Sequence, residues 1–309
     1  MKPQRVIIFG GTGFVGQSVC EAVQRAGLRV TVPTRSHAKG QRLAHLPNVT
    51  VLAVRQQTAA ELIELIKGHD VVINLIAILH GSRAAFEKAH VTWTAQLADA
   101  CEQAHLSHPL QRVIHVSALG AAADAPSDYQ QTKAAGEAIW QSFKACPVAI
   151  LRPSVIFGAR DQFLNLFAKL VALTPVMPLA GAHTRFQPVS VQDVAQAIMN
   201  LTTHAHPNIT AATPVECVGP DTLTLKSLVQ LVARWTGRRV WVFNMPKPLA
   251  MLQAGLMELA PGPTLMSRDN VRSLAVDNVA AAGATDTCTL AALGIKAQSL
   301  YSLESIYRR

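Results

Sequence analysis

The run Val6-Ile7-Ile8-Phe9-Gly10-Gly11-Thr12-Gly13-Phe14-Val15-Gly16 restricts this chain more than any other feature. An apolar, β-branched stretch ends in glycines three residues apart, and a helical pattern opens directly behind them. Gly10 permits a tight turn, Gly13 lets a ligand reach the backbone, and Gly16 lets the helix lie close against the strand. Gly11, Thr12, Phe14 and Val15 complete the turn. Free backbone N–H groups and the positive end of the helix dipole meet at such a turn, so a diphosphate fits there. A glycine pattern alone says little; the strand before it and the helix after it are the context it needs.

The same strand-then-helix rhythm recurs. Apolar runs at Arg5–Phe9, Arg29–Pro33, Val49–Val54, Asp70–Ile76, Arg112–Val116 and Val148–Leu151 alternate with helical patterns at Gly16–Ala26, Ala59–Lys67, Ala84–Gln103 and Tyr129–Phe143. That alternation predicts an α/β fold, a doubly wound parallel sheet of the Rossmann type. The runs are nearly continuous in hydrophobicity, as expected of strands covered on both faces. After Pro153 the pattern loosens, with helices expected near Gln162–Leu173, Val191–Leu201, Leu225–Thr236 and Pro248–Leu259. We therefore expect a nucleotide-binding unit over residues 1–153 and a smaller mixed lobe over 154–309, interleaved with it and packed on the sheet's carboxyl edge.

Composition narrows the function. With 309 residues, 50% hydrophobic and 15% charged, the chain can bury a large core. The five cysteines are scattered and show no metal-ligand spacing, so we expect no metal site, and reduced, buried thiols in a cytoplasmic setting. No apolar run is long enough to span a bilayer. The net charge of +9 suits a phosphorylated ligand or an anionic membrane surface. Nucleic acid is not expected, because no dense basic run is interleaved with aromatics.

Dinucleotide sites that take NAD usually carry an acidic residue after the second strand, whereas an arginine there suits a 2′-phosphate. Here the chain reads Pro33-Thr34-Arg35-Ser36, which favours NADP(H), with NAD(H) as the alternative. The fourth strand ends at Asn74-Leu75-Ile76, beside the expected ribose and nicotinamide. Asn74 either holds the cofactor or caps the turn. Tyr129 and Lys133 stand four residues apart on one helix face, behind Ser117 at the end of the fifth strand. A neighbouring ammonium lowers a phenol's pKa, so Tyr129 is expected to act as general acid/base with its pKa lowered by Lys133. Ser117 would polarise a carbonyl, and Lys133 would also bond the nicotinamide ribose.

Together GGTGFVG, Val116-Ser117-Ala118-Leu119-Gly120, the Tyr129/Lys133 pair and Leu151-Arg152-Pro153-Ser154 resemble the extended and atypical short-chain dehydrogenase/reductase superfamily, of the NAD-dependent epimerase/dehydratase kind. The run Arg152–Asn165, with Arg185-Phe186-Gln187-Pro188-Val189 and Asp193-Val194-Ala195, is similar over nearly the whole chain to the NADPH-binding accessory subunits of respiratory complex I and their stand-alone bacterial relatives. The resemblance implies pyrophosphate contacts at Gly10, Thr12, Gly13, Phe14, Val15 and Gly16, a 2′-phosphate contact at Arg35, and ribose contacts at Tyr129 and Lys133. Pro153 is grouped with the cofactor-binding positions. It also implies a nucleotide held structurally in the complex I relatives, which weighs against turnover. One departure is Ala53-Val54-Arg55-Gln56-Gln57, where extended enzymes commonly place an acid near the adenine.

Three function classes follow. The first is an oxidoreductase acting on a carbonyl or hydroxyl of a small substrate. The second is a non-catalytic nucleotide-binding accessory or assembly subunit with respiratory-complex association. The third is a sugar-nucleotide epimerase or dehydratase. Arg152, Asp161, Arg185 and Asp193 form a candidate polar cluster for a substrate, with Asp193 better read as structural, and Arg160 and Arg185 are candidates for an acidic ligand or partner. The segment Pro246–Met266 reads as core filling, as an amphipathic lid or as a membrane-facing helix, which leaves peripheral association at the inner face of a membrane open.

Overall fold

In the computed structural model, residues 4–54, 58–204, 206, 208–259, 266–281 and 288–307 are described. The first half runs β1 (Arg5–Phe9), α1 (Phe14–Arg25), β2 (Arg29–Thr34), α2 (His37–Gly40), β3 (Val49–Ala53), α3 (Ala59–Ile66), β4 (Val71–Asn74), α4 (Arg83–Phe86), a π turn (Glu87–Thr92), α5 (Trp93–Ser107), β5 (Arg112–Val116), α6 (Asp128–Ser142) and β6 (Val148–Pro153). The second half adds β7 (Ile156–Phe157), α7 (Phe163–Leu173), β8 (Val176–Ala180), β9 (Arg185–Phe186), β10 (Val189–Ser190), α8 (Val191–Thr203), β11 (Val215–Cys217), β12 (Leu223–Thr224), α9 (Leu225–Trp235), β13 (Trp241–Met245), α10 (Lys247–Leu259), α11 (Arg268–Ser273) and α12 (Glu304–Tyr307).

A seven-stranded parallel sheet in the order β11-β6-β5-β4-β1-β2-β3 organises the molecule. Alternation along β1 explains its two cores. Val6 and Ile8 face α1 and α8, whereas Ile7 and Phe9 face α3, α5 and α6. The chain winds outward from β1 in one direction and from β4 in the other, and a crevice opens between them at the strands' carboxyl ends. The second lobe has its own core, in which Phe167 and Val171 of α7 pack with Leu228, Val232 and Trp235 of α9 and Val242 of β13. β11 returns from that half of the chain to pair with β6, Val215 opposite Leu151.

Two expectations need correction. β3 is not covered on both faces: Thr50, Leu52 and Ala53 are exposed, because β3 is an edge strand. The helix expected over Ala84–Gln103 is not regular throughout: it runs without a break from Arg83 to Ser107 but carries a π turn, where the Trp93 N–H reaches back to the Lys88 carbonyl. The cause is close packing: a methyl group at Gly136 of α6 would lie 2.6 Å from the His90 carbonyl oxygen. That oxygen instead accepts from Thr94 Oγ1 at 2.6 Å. Residues 55–57, which include the departure expected near an adenine, lie outside the described residues.

Candidate functional site

Because the strands are parallel, Gly10 (after β1), Arg35 (after β2), Leu75 and Ile76 (after β4), Ser117 (after β5) and Pro153 (closing β6) all stand at one edge of the sheet. Gly10 adopts φ +85°, a conformation that favours glycine, and a Cβ there would press within 3.0 Å of the Leu75 backbone. The glycine turn therefore fits directly against the end of β4. Gly13 N donates to Gly10 O at 3.0 Å, and Gly13 precedes α1 without a side-chain cap and with no acid in the first turn. The first N–H groups of this twelve-residue helix are left to a ligand. A Cβ at Gly16 would meet Gly10 O at 2.3 Å, so close helix-to-strand packing requires this glycine. At Gly13 the nearest atom is 3.2 Å away, and the space above it is open to a diphosphate. These observations fit a nicotinamide dinucleotide. Phe14 lies over Gly158 of the second lobe, with 3.2 Å between its ring and a Cβ built there.

Arg35 is exposed, and no salt bridge among the described residues engages it. Ser36 caps α2, accepting from Lys39 N at 3.4 Å. Asn74, 1% exposed, gives its side chain to the protein. Its Oδ1 accepts from Ile76 N at 3.2 Å and Trp93 Nε1 at 3.1 Å, and its amide meets His115 Nδ1 at 3.1 Å. The turn-capping alternative is the one its side chain takes.

Tyr129 and Lys133 lie on the face of α6 toward this edge. Lys133, 2% exposed, donates from Nζ to the Val116 carbonyl at 2.7 Å, beside Ser117. Burial lowers its pKa to about 8 despite the opposing charge of Glu137. The expected lowering of Tyr129 is corrected: burial pushes its phenol up to about 12, so the phenol keeps its proton at neutral pH. Its half-buried ring meets Phe86 and His90 edge-on, at 5.9 and 5.5 Å. Ser117 N donates to Leu151 O at 2.7 Å, while its buried Oγ has no hydrogen-bond partner. A buried hydroxyl left in this state is costly unless a ligand satisfies it.

The sequence reading missed the supports. His90 accepts from Ile78 N at 3.2 Å through Nε2, so its Nδ1 carries the proton toward Thr132 Oγ1 at 3.0 Å. Burial and the nearby Lys133 hold its pKa down to about 3. Asp269 of α11 accepts from the backbone N–H groups of Asp128 and Tyr129 at 2.7 and 3.1 Å, anchoring the start of α6. Buried Glu137 accepts from two guanidinium nitrogens of Arg152 of β6, Nε and Nη2. Glu137 alone had a signal, since Tyr129, Lys133 and Glu137 recur every four residues.

The polar cluster expected in the second lobe does not assemble. Arg152 is taken by Glu137, Arg185 by Asp277 at 2.8 Å, and Asp193 by Gln298 N at 2.7 Å. Asp161 accepts from Leu164 N at 2.6 Å at the start of α7. Arg160 is exposed. Among the described residues, no group of three or more His, Cys, Asp or Glu is placed to hold a metal.

Comparison with known proteins places this geometry among relatives. Residues 6–211 match the NAD dependent epimerase/dehydratase family. The chain is 31% identical to the NADH dehydrogenase (ubiquinone) 1 alpha subcomplex subunit 9, mitochondrial, of Mus musculus, over 97% of this chain and 78% of that protein. It is 28% identical to a ceramide reductase of Caulobacter vibrioides, over 82% and 76% of the two chains. The crystal structure of an NADPH-dependent quinone oxidoreductase, QOR2, complexed with NADPH from Escherichia coli superposes with a TM-score of 0.75 at 17% identity, covering 97% of this chain and 98% of that one.

Proposed function

We propose, from the premise that this chain belongs to the NAD dependent epimerase/dehydratase family, that it binds NADP(H) at the glycine turn and reduces a carbonyl of a small substrate, or oxidises the corresponding hydroxyl. Gly10, Gly11, Thr12, Gly13, Phe14, Val15 and Gly16 form the diphosphate seat, Arg35 and Ser36 flank the 2′-phosphate, and Leu75, Ile76 and Pro153 line the approach to the nicotinamide. Bound NADPH supplies the hydride. The phenol of Tyr129 donates the proton to the carbonyl oxygen, and Ser117 Oγ–H bonds the same oxygen. Lys133, held at the Val116 carbonyl, bonds the ribose. The observation that carries this reading is Ser117 Oγ, buried without a partner one residue beyond the carbonyl that holds Lys133.

The test is calorimetric titration with NADPH and NADH, paired with single-turnover oxidation of bound NADPH by carbonyl substrates. Arg35→Ala should weaken NADPH about tenfold or more, the worth of a charge-assisted phosphate contact, and leave NADH almost unchanged. Equal losses for both would remove the 2′-phosphate assignment. Tyr129→Phe should abolish NADPH oxidation yet keep NADPH binding within about threefold, because one neutral hydrogen bond is lost.

A second reading is favoured by the 31% identity that runs over 97% of the chain to a mitochondrial complex I subunit. In it the chain is a respiratory-complex accessory or assembly subunit that keeps its nucleotide as structure. Tight NADPH binding without oxidation by any carbonyl, and a large rise in Tm on binding, would select it.

A further inference from the structure

The second lobe carries an apolar surface that no described residue covers. α10 packs inward through Ala250 and Ala254, which are fully buried against Ala180 of β8. At 100° per residue its leucines fall on the opposite side: Leu249, Leu252, Leu256 and Leu259 are 56, 63, 63 and 83% exposed. Leucine is a strong helix former, but four of them facing water contribute nothing to this core. The feature continues into β13, which leads into α10 through Pro246. There Val242 points inward, while Trp241 and Phe243 point out, 69 and 39% exposed, with their rings 5.5 Å apart.

Charge identifies the occupant. From Leu223 to Met257, which covers β13 and most of α10, the chain contains no aspartate or glutamate, and Glu258 near the end of α10 is paired with Arg268 at 2.8 Å. That stretch holds Lys226, Arg234, Arg238, Arg239 and Lys247. Arg238 and Arg239 stand three and two residues before Trp241, and Lys247 opens α10; all three are exposed, and no salt bridge among the described residues engages them. A contact between two copies of this surface would set these cations against one another. An anionic bilayer takes both components: leucines enter the acyl boundary, tryptophan sits at the headgroup level, and arginine and lysine meet lipid phosphates.

We propose that α10 and the outward face of β13 form a docking surface for an anionic lipid bilayer, on which the protein lies without spanning it. Among the described residues no helix is long and apolar enough to cross a membrane.

The experiment is flotation of the full chain with vesicles of phosphatidylcholine mixed with phosphatidylglycerol, and with vesicles of phosphatidylcholine alone. Co-flotation with the mixed vesicles is expected, falling as salt is raised. The variant Leu252→Glu/Leu256→Glu should bind about tenfold more weakly or worse, and Arg238→Glu/Arg239→Glu about tenfold more weakly. All four positions are exposed, so each variant should melt within a few degrees of the parent; this is checked first. Should the leucine variant fail to fold, Trp241→Phe serves instead, and it should abolish a blue shift of tryptophan emission on adding mixed vesicles. Absence of flotation overturns the proposal, as does flotation unchanged by the leucine substitutions or a blue shift that persists in Trp241→Phe. A dimer that the leucine substitutions dissociate, together with no vesicle binding, would assign the surface to a second copy and overturn it equally.

Discussion

A methyl group at Gly16 would stand 2.3 Å from the Gly10 carbonyl oxygen, whereas at Gly13 it would meet its nearest neighbour at 3.2 Å. The two glycines therefore separate folding from binding. Gly16→Ala should cost about 2 kcal/mol or more in urea denaturation, since the backbone of the turn must shift. Gly13→Ala should melt within a few degrees of the parent but lose about tenfold or more in dinucleotide affinity, because its methyl occupies the ligand's space. Lys133 makes a pH prediction. Its folded pKa of about 8 lies below an unfolded value of about 10.4, so between those values the unfolded chain binds more protons and stability rises with pH. Compared with Lys133→Met, the parent should gain stability from about pH 8 to about pH 10 in urea titrations; a flat difference would contradict the pKa. That Tyr129 and Lys133 share one helix was legible in their spacing. The direction of the tyrosine's pKa was not, because a shared helix face does not say that the ammonium turns to the Val116 carbonyl instead of the phenol.

At the scale of elements, the start of α6 depends on a residue 140 positions later, Asp269, whose carboxylate takes two of its N–H groups. Asp269→Ala should cost about 1–2 kcal/mol, as for a lost helix cap, and should slow any Tyr129-dependent step with little change in NADPH affinity. Stopped-flow NADPH oxidation and calorimetry on one preparation would check both halves. α11 also joins this contact to the apolar helix, since Arg268 Nε bonds Glu258 Oε2 at 2.8 Å. Strands and helices of the first half were readable to within a few residues, because buried β-branched runs and glycine punctuation are local signals. The π turn was not readable: its cause is the approach of Gly136 to the His90 carbonyl, a contact between elements rather than a pattern within one. Asp269 and His90 were unreadable for the same reason. Isolated polar residues far from the glycine turn give no sign that folding brings them beside Tyr129.

Taken whole, the molecule is one seven-stranded parallel sheet with a further packed core formed by α7, α9 and β13, and the order β11-β6-β5-β4-β1-β2-β3 contains a feature that composition could not reveal. Loosened patterning after Pro153 suggested a boundary there, but the last strand of the sheet is contributed by Val215–Cys217, from beyond it. That arrangement has a consequence for biosynthesis. While the ribosome is still making α7 and α8, the edge of β6 that will receive Val215 stands open, and the face of Val194, Ile198 and Leu201 is missing from its core. An open, apolar strand edge is a template for pairing with other nascent chains. Residues 1–153 expressed alone should therefore aggregate, whereas residues 1–220 should stay in solution longer, as light scattering during refolding would measure. For this chain the β6 edge is covered once Val215–Cys217 is made, and a chaperone that holds that edge would be needed only until then, although the same core closes only with Leu290 and Leu293.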